Sequence, residues 1–347
     1  MFIRKRLLIV DDSRFMRKAI ADFFASDDKI EIIGEAKDGA DAIEAVAKLK
    51  PDVVTLDVNM PVMDGLTALK HLMIRSPLPI VMLSTLMQEG AQATFDALRY
   101  GALDFILKPS QLKGDLTQQR QEVCHKVRLA AHVEVSALRY IRAAQKDKSN
   151  NHLPCNRIVS FGAAEGGYSV LLKIIPHLAA GASQTAYVVV LYAEPAHVDM
   201  FVKYLDQFSS VQVRRARDGE ALQSGICYLT SGAEYTTFRY ENDDLMLHIT
   251  EAPFPWRRGS INRLFFSSAE VLGSNGVGVL LTGAGDDGAE GLSEIIDANG
   301  LALVQDPKTC LDKDMVLNAL QHCDPEYCTI ATDVAISEVI NSSLNQT

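Results

Sequence analysis

Short apolar runs rich in β-branched residues recur through the first third of the chain, at residues 7–10, 30–33, 53–56, 80–83 and 105–107. Between them lie amphipathic stretches with helical spacing, such as 14–24 and 40–49. Apolar runs that barely alternate are strands buried on both faces, and the intervening helices supply the cover. The pattern predicts a doubly wound parallel sheet over residues 1–110. From 116 to 144 the spacing is again helical, with Val123, Val127, Ala130 and Ala131 on one stripe. Lys146-Asp147-Lys148-Ser149-Asn150-Asn151 then breaks it, so residues 111–156 are read as a helix and flexible linker. The strand–helix theme returns over 157–347, with strands expected at 158–161, 188–191, 211–214, 277–281 and 301–304. A polar stretch over 235–249 reads as a hairpin turning at Glu241-Asn242-Asp243-Asp244. The expected architecture is therefore two α/β domains joined by a linker.

Polar residues gather just after the strands of the first domain, where open α/β sheets place their sites. Asp11 and Asp12 follow the first strand, Asp57 ends the third, Ser84 the fourth, and Lys108-Pro109 follows the fifth. In a parallel sheet these ends converge. Three crowded carboxylates repel unless a cation joins them, and a hard ion such as Mg²⁺ suits an all-oxygen site. One carboxylate can then attack a phosphoryl group, with the cation and a lysine neutralising the developing charge. Asp64-Gly65 alone is read as a turn.

With 347 residues, 48% apolar and 22% charged, the chain has enough material for two cores. Residues 1–110 carry 14 basic and 16 acidic side chains, 111–156 carry 8 and 4, and 157–347 carry 12 and 24. A second domain of net charge −12 argues against DNA binding, which needs a basic face. No apolar run reaches the length of a membrane span, and the apolar stretch at 7–10 ends too soon at Asp11 for a signal peptide. A cytoplasmic protein without membrane insertion is expected. The six cysteines include no Cys-x-x-Cys pair; Cys323 and Cys328 are near in sequence but lack a second ligand pair, and reduced, mostly buried thiols are expected.

The second domain contains Phe161-Gly162-Ala163-Ala164-Glu165-Gly166-Gly167, a glycine-rich turn between an apolar run and a helical stretch. Later come Tyr192-Ala193-Glu194-Pro195, Arg258-Gly259-Ser260-Ile261-Asn262, Leu281-Thr282-Gly283-Ala284-Gly285-Asp286-Asp287-Gly288-Ala289 and Gln305-Asp306. Gly283 to Gly288 matches Gly-x-Gly-x-x-Gly, but two aspartates inside it would repel a pyrophosphate. With the strand-end acids of the first domain, these segments resemble the CheB family of chemotaxis response-regulator methylesterases. Residues 5–110 resemble a receiver domain. That resemblance implies phosphorylation of Asp57 by a CheA-like histidine kinase. It implies Mg²⁺ held by Asp12, Asp57 and the Asn59 carbonyl with Asp11 assisting through water. Lys108 and Ser84 would contact the phosphoryl group, and Phe105 would stand at the aromatic switch position.

The family carries Gly-Ala-Ser-Thr-Gly-Gly where this chain has Gly162 to Gly167, so the nucleophilic serine is Ala164 and the threonine is Glu165. Its Gln-His-Met-Pro aligns with Tyr192-Ala193-Glu194-Pro195, so the general base is Ala193; the triad aspartate persists as Asp287, and the oxyanion-hole methionine becomes Ala284. Near the end, Gly-Met-Pro reads Asp314-Met315-Val316. Acyl transfer needs a hydroxyl, a base and a group that orients the base. Only the last remains. Glu165 is read as helix-start electrostatics. The expectation is a phosphorylation-regulated response regulator whose methylesterase-like output domain has lost its chemistry and binds a partner: chemoreceptor cytoplasmic helices, a kinase, or an active methylesterase. In the family, the unphosphorylated receiver covers the esterase site. The alternatives are an active protein-glutamate methylesterase or glutamine deamidase relocated to Ser169 and His197, and a phosphate sink in which only the receiver matters.

Overall fold

A computed structural model describes residues 4–84, 88–108, 115–135, 154–180, 184–253, 259–324 and 326–345. The chain divides into two compact units, Met1–Ile141 and Arg142–Thr347. The first contains β1 (Lys5–Val10), α1 (Arg14–Phe24), β2 (Ile30–Ala36), α2 (Gly39–Leu49), β3 (Val53–Asp57), α3 (Gly65–Arg75), β4 (Ile80–Ser84), α4 (Gln88–Arg99), β5 (Asp104–Leu107) and α5 (Leu116–Ala130). Its sheet runs β2-β1-β3-β4-β5 with every pair parallel. β3 and β4 are buried along their whole length, as their unbroken apolar pattern requires. Side-chain caps start the helices: Ser13, Asp38, Asp64 and Asp115 each accept a backbone N–H of the following turn.

α5 runs from Leu116 to Ala130 and lies in the first unit, while residues 136–144 of the helical stretch lie outside the described residues. Val123, Cys124, Val127 and Ala130 are buried. Arg120 donates to the Phe23 carbonyl at 2.9 Å, Arg128 pairs with Asp27 at 2.7 Å, and Lys126 donates to the Phe105 carbonyl at 2.9 Å. The stripe Val123-Val127-Ala130 needs an apolar partner, and the receiver provides it. The proposed linker at 146–151 lies outside the described residues.

The second unit contains β6 (Arg157–Ala163), α6 (Gly167–Ile174), β7 (Thr185–Leu191), α7 (Pro195–Asp206), β8 (Gln212–Arg215), β9 (Ile226–Ser231), β10 (Glu234–Glu241), β11 (Asp244–Glu251), α8 (Ser260–Leu272), β12 (Gly276–Leu280), α9 (Ala289–Asp297), β13 (Leu301–Gln305), α10 (Asp314–His322), β14 (Cys328–Ala331) and α11 (Ile336–Asn345). Seven parallel strands run in the order β14-β13-β12-β6-β7-β9-β8. β9 and β14 are additions to the predicted set. The expected hairpin is β10–β11, with Asn242 (φ 51°) and Asp243 (φ 70°) both left-handed at its tip, as a tight two-residue hairpin turn demands. Among the described residues no helix is long and apolar enough to cross a membrane.

Candidate functional sites

In the first unit, parallel register brings the predicted acids to one sheet edge. Asp11, Asp12 and Asp57 each offer a carboxylate oxygen, and these oxygens lie within 4.8 Å of one another. Asp11 and Asp57 are buried, whereas Asp12 is exposed. The Lys108 Nζ reaches Asp11 Oδ2 at 2.9 Å and Asp57 Oδ2 at 2.7 Å. On the far side, Ser13 N donates to Asp11 Oδ1 at 2.9 Å and Asn59 N to Asp57 Oδ1 at 3.3 Å. Gly65 explains how the loop closes over Asp57: a Cβ there would stand 1.9 Å from the Asp57 carbonyl oxygen. The residue is thus more than the turn predicted for Asp64-Gly65. It lets α3 start against the end of β3, with Asp64 as the cap.

Burial pushes the Asp57 carboxyl up, and nearby Asp11 adds to this; Lys108 offsets only part of it. Burial likewise opposes charge on Lys108, but its bonds to Asp57 and Asp11 prevail and raise its pKa above the usual lysine value. Among the described residues one ammonium therefore stands with three acids, a charge excess suited to a hard divalent cation. Ser84 is buried at the end of β4, and its hydroxyl bonds the Thr94 hydroxyl at 2.7 Å. Phe105 is buried, with the Lys126 ammonium 5.4 Å from its ring centre.

In the second unit, Ala164 follows β6 and is buried. Its N–H donates to the Thr282 carbonyl at 2.9 Å, and its carbonyl accepts from Gly167 N at 2.8 Å. A Cβ on Gly283 would lie 2.7 Å from the Ala164 methyl and 2.3 Å from Met315 Sδ, so this corner is close-packed. Ala193 is also buried, and its carbonyl accepts from the Ser231 hydroxyl at 2.6 Å.

Asp287 is held by three donors. Its carboxylate accepts from the Tyr192 hydroxyl and from Ile261 N and Asn262 N, the latter two at 2.9 Å each. Burial, and then the Asp287 charge, push the Tyr192 phenol far above its ordinary value, so it remains a donor. The Tyr192 ring lies on Gly232, where a Cβ would approach within 1.8 Å. Glu165 also differs from expectation. Its carboxylate is buried, and Oε2 accepts from Ala284 N at 2.9 Å. It is spent on a turn 119 residues away, not only on the start of its own helix. The amides at the start of α9 are occupied as well: Asn262 Oδ1 accepts from Gly288 N at 3.0 Å and Gly291 N at 2.8 Å. A phosphate at this glycine pattern would have to displace that side chain.

Ser169 is buried in α6, and His197 lies in the first turn of α7. Arg258 falls outside the described residues. Tyr192 was missed in the sequence because an aromatic residue at a strand end reads as core.

The same two units emerge from comparison with known proteins. Residues 7–119 match the response regulator receiver domain model, and residues 159–335 match the CheB methylesterase model. A protein-glutamate methylesterase/protein-glutamine glutaminase of Pyrococcus abyssi is 37% identical over 313 residues, covering 88% of this chain and 85% of that protein. The chain belongs to the CheB family. A family member of the same description from Caldanaerobacter subterraneus is 33% identical and spans 98% of this chain and 97% of its own length. The fold of the second unit is that of the Thermotoga maritima CheB methylesterase catalytic domain, at TM-score 0.50 and 24% identity, covering 54% of this chain and 98% of that domain. Ala164 and Glu165 follow β6, and Tyr192 and Ala193 follow β7, the parallel neighbour of β6.

Proposed function

We propose that this CheB-family response regulator is phosphorylated on Asp57 by a histidine kinase of a chemosensory system, and that its output domain is a phosphorylation-regulated binding module without ester hydrolysis. The observation that carries the second half is the engagement of Asp287 by Tyr192, with methyl groups at both Ala164 and Ala193. A triad aspartate orients a histidine through a hydrogen bond; here a phenol uses that acceptor. The donor at Ala284 N is likewise taken by Glu165.

Phosphoryl transfer follows from the first site. An Asp57 oxygen forms a bond to phosphorus as the bond to the donor histidine breaks, and that imidazole leaves with its electron pair. Lys108 stands beside the attacking carboxylate to balance the charge of the phosphoryl oxygens. Ser84 would exchange its bond to Thr94 for one to the phosphoryl group, and Phe105 would answer that movement as the switch. Asp11, Asp12, Asp57 and the Asn59 carbonyl are the residues that would hold Mg²⁺, which when bound draws off phosphoryl charge. Labelling of the full chain by a small phosphodonor tests this half: incorporation should need Mg²⁺ and vanish in Asp57→Ala. Labelling that survives the substitution would overturn the assignment.

The partner of the output domain is proposed to be the helical cytoplasmic part of a chemoreceptor, or an active methylesterase that competes for it. Retention of the full chain on a receptor fragment should change upon phosphorylation. A second reading, an active protein-glutamate methylesterase or glutaminase using Ser169 and His197, is favoured by the descriptions of the relatives. It requires those two side chains to act at one point, and activity lost in Ser169→Ala or His197→Ala would establish it.

A further inference from the structure

Thr94 interrupts the buried apolar face of α4. Ala91, Phe95 and Leu98 on that face are buried, and Thr94 among them has no exposed surface. A hydroxyl in such a place needs a partner, because leaving a buried donor unsatisfied costs more than making its bond returns. Ser84 supplies one: the two hydroxyls stand 2.7 Å apart, and Ser84 is 3% exposed. Ser84 is the last residue of β4, between the strand that ends at Asp57 and the strand that precedes Lys108. Its carbonyl accepts from Lys108 N at 2.8 Å, and the neighbouring Leu83 pairs in register with Asp57. The backbone at residue 84 is thus fixed beside the phosphoacceptor site, while its side chain is tied to a helix. The two partners differ in stiffness. Threonine is β-branched and restricted in a helix, whereas serine is unbranched and turns easily. The bond therefore positions Ser84, with Thr94 as its fixed end.

We propose that Thr94 is a positioning residue of the phosphoacceptor site: it holds the Ser84 hydroxyl back in the unphosphorylated receiver, and its release carries the phosphorylation of Asp57 to α4. The inference rests on the reading of Asp57 as phosphoacceptor given above. A phosphoryl oxygen is a charged acceptor, and a hydrogen bond to it is roughly twice as strong as one between neutral hydroxyls. Ser84 therefore turns from Thr94 to the phosphoryl group. That exchange removes a bond that ties α4 to β4, so the phosphorylated receiver holds this helix less firmly. Before transfer the same bond is a brake, since it must break for Ser84 to reach the developing charge. Thr94 touches neither the phosphoryl group nor the reacting carboxylate in this scheme. It acts through Ser84.

The test is the initial rate at which acetyl phosphate with Mg²⁺ labels Asp57 of the full chain, in the parent, Thr94→Val, Thr94→Ser, Ser84→Ala and the Ser84→Ala/Thr94→Val pair. Thr94→Val keeps the branched shape and deletes the hydroxyl. It should label about 2- to 10-fold faster than the parent, the factor carried by one neutral hydrogen bond. Thr94→Ser keeps a hydroxyl and should stay near the parent. In the Ser84→Ala background the gain from Thr94→Val should vanish, which a general loosening of α4 would not produce. The pair removes both hydroxyls together, so it folds even where a single change leaves one of them unmet. A second readout needs no phosphoryl group: amide hydrogen exchange in α4 should already be raised in unphosphorylated Thr94→Val, and should change less on phosphorylation than in the parent. Thr94→Val labelling less than about twofold faster than the parent would overturn the proposal. So would an equal gain with and without the Ser84 hydroxyl. A parent that does not label at Asp57 removes the underlying reading and the proposal with it, whereas a parent that labels without responding to Thr94 removes the proposal alone.

Discussion

Tyr192→Phe is a sharp perturbation because it removes one oxygen and leaves the ring on Gly232 in place. Asp287 accepts three bonds, and the variant deletes the one from the phenol while retaining Ile261 N and Asn262 N. Hydrogen bonds to a charged group contribute about 1.5–3 kcal/mol each, and the carboxylate is buried, so no water stands ready to replace the lost donor. A domain of this size loses roughly 2–4 °C of midpoint per kcal/mol, which places the expected shift at about 3–12 °C. The two units need not unfold together. Pulse proteolysis of the full chain over a temperature series, read by mass spectrometry, follows the second unit through peptides of residues 184–253 and the first through peptides of residues 4–84. If Asp287 relies on Tyr192, the second transition moves down while the receiver transition stays. A second-unit midpoint within about 1 °C of the parent would refute the view that Asp287 serves the fold.

Gly232→Ala should destabilise the second unit by about 1–3 kcal/mol through overpacking against the Tyr192 ring, and pairing it with Tyr192→Ala should recover part of the loss in urea unfolding. Restoring only Ala164→Ser and Ala193→His should leave methanol release at background, because Tyr192 retains Asp287 and Glu165 retains the Ala284 amide; adding Tyr192→Gln and Glu165→Thr should raise it. Asp57→Asn should abolish phosphorylation. Without divalent cations it should also raise receiver stability at neutral pH, because a carboxyl with a raised folded pKa destabilises the folded state once it ionises. Burial pushes Asp27 up, but Arg128 and the Lys29 and Ile30 amides prevail and hold its pKa below the usual value. A depressed folded pKa adds stability that is present above about pH 4 and is lost as pH falls through the folded value. Acid titration of the receiver transition should therefore flatten in Asp27→Asn.

The two sheets were legible because buried parallel strands print as unbroken apolar runs, and the receiver acids were legible because they end those runs. α5 was harder. Its apolar stripe was recognised, but residues 111–156 carry net charge +4 and read as a helix and flexible linker, whereas Arg120, Lys126 and Arg128 spend their charge on Phe23, Phe105, Asp104 and Asp27. β14 escaped because it is four residues long with two of them exposed, so neither alternation nor an apolar run marks it. The alanines at 164 and 193 were plain in the sequence. The pairings around them were not, since Glu165 finds its partner 119 residues away and Tyr192 finds Asp287 95 residues away. Those pairings exist only once β6, β7 and β12 lie side by side.

The central claim is tested most directly by methanol release from a methylated chemoreceptor fragment, with the full chain phosphorylated on Asp57 and an intact family methylesterase run beside it. The account predicts release at the uncatalysed background for this chain and rapid release for the control. Phosphorylation-dependent release approaching the control would contradict it and direct attention to Ser169 and His197.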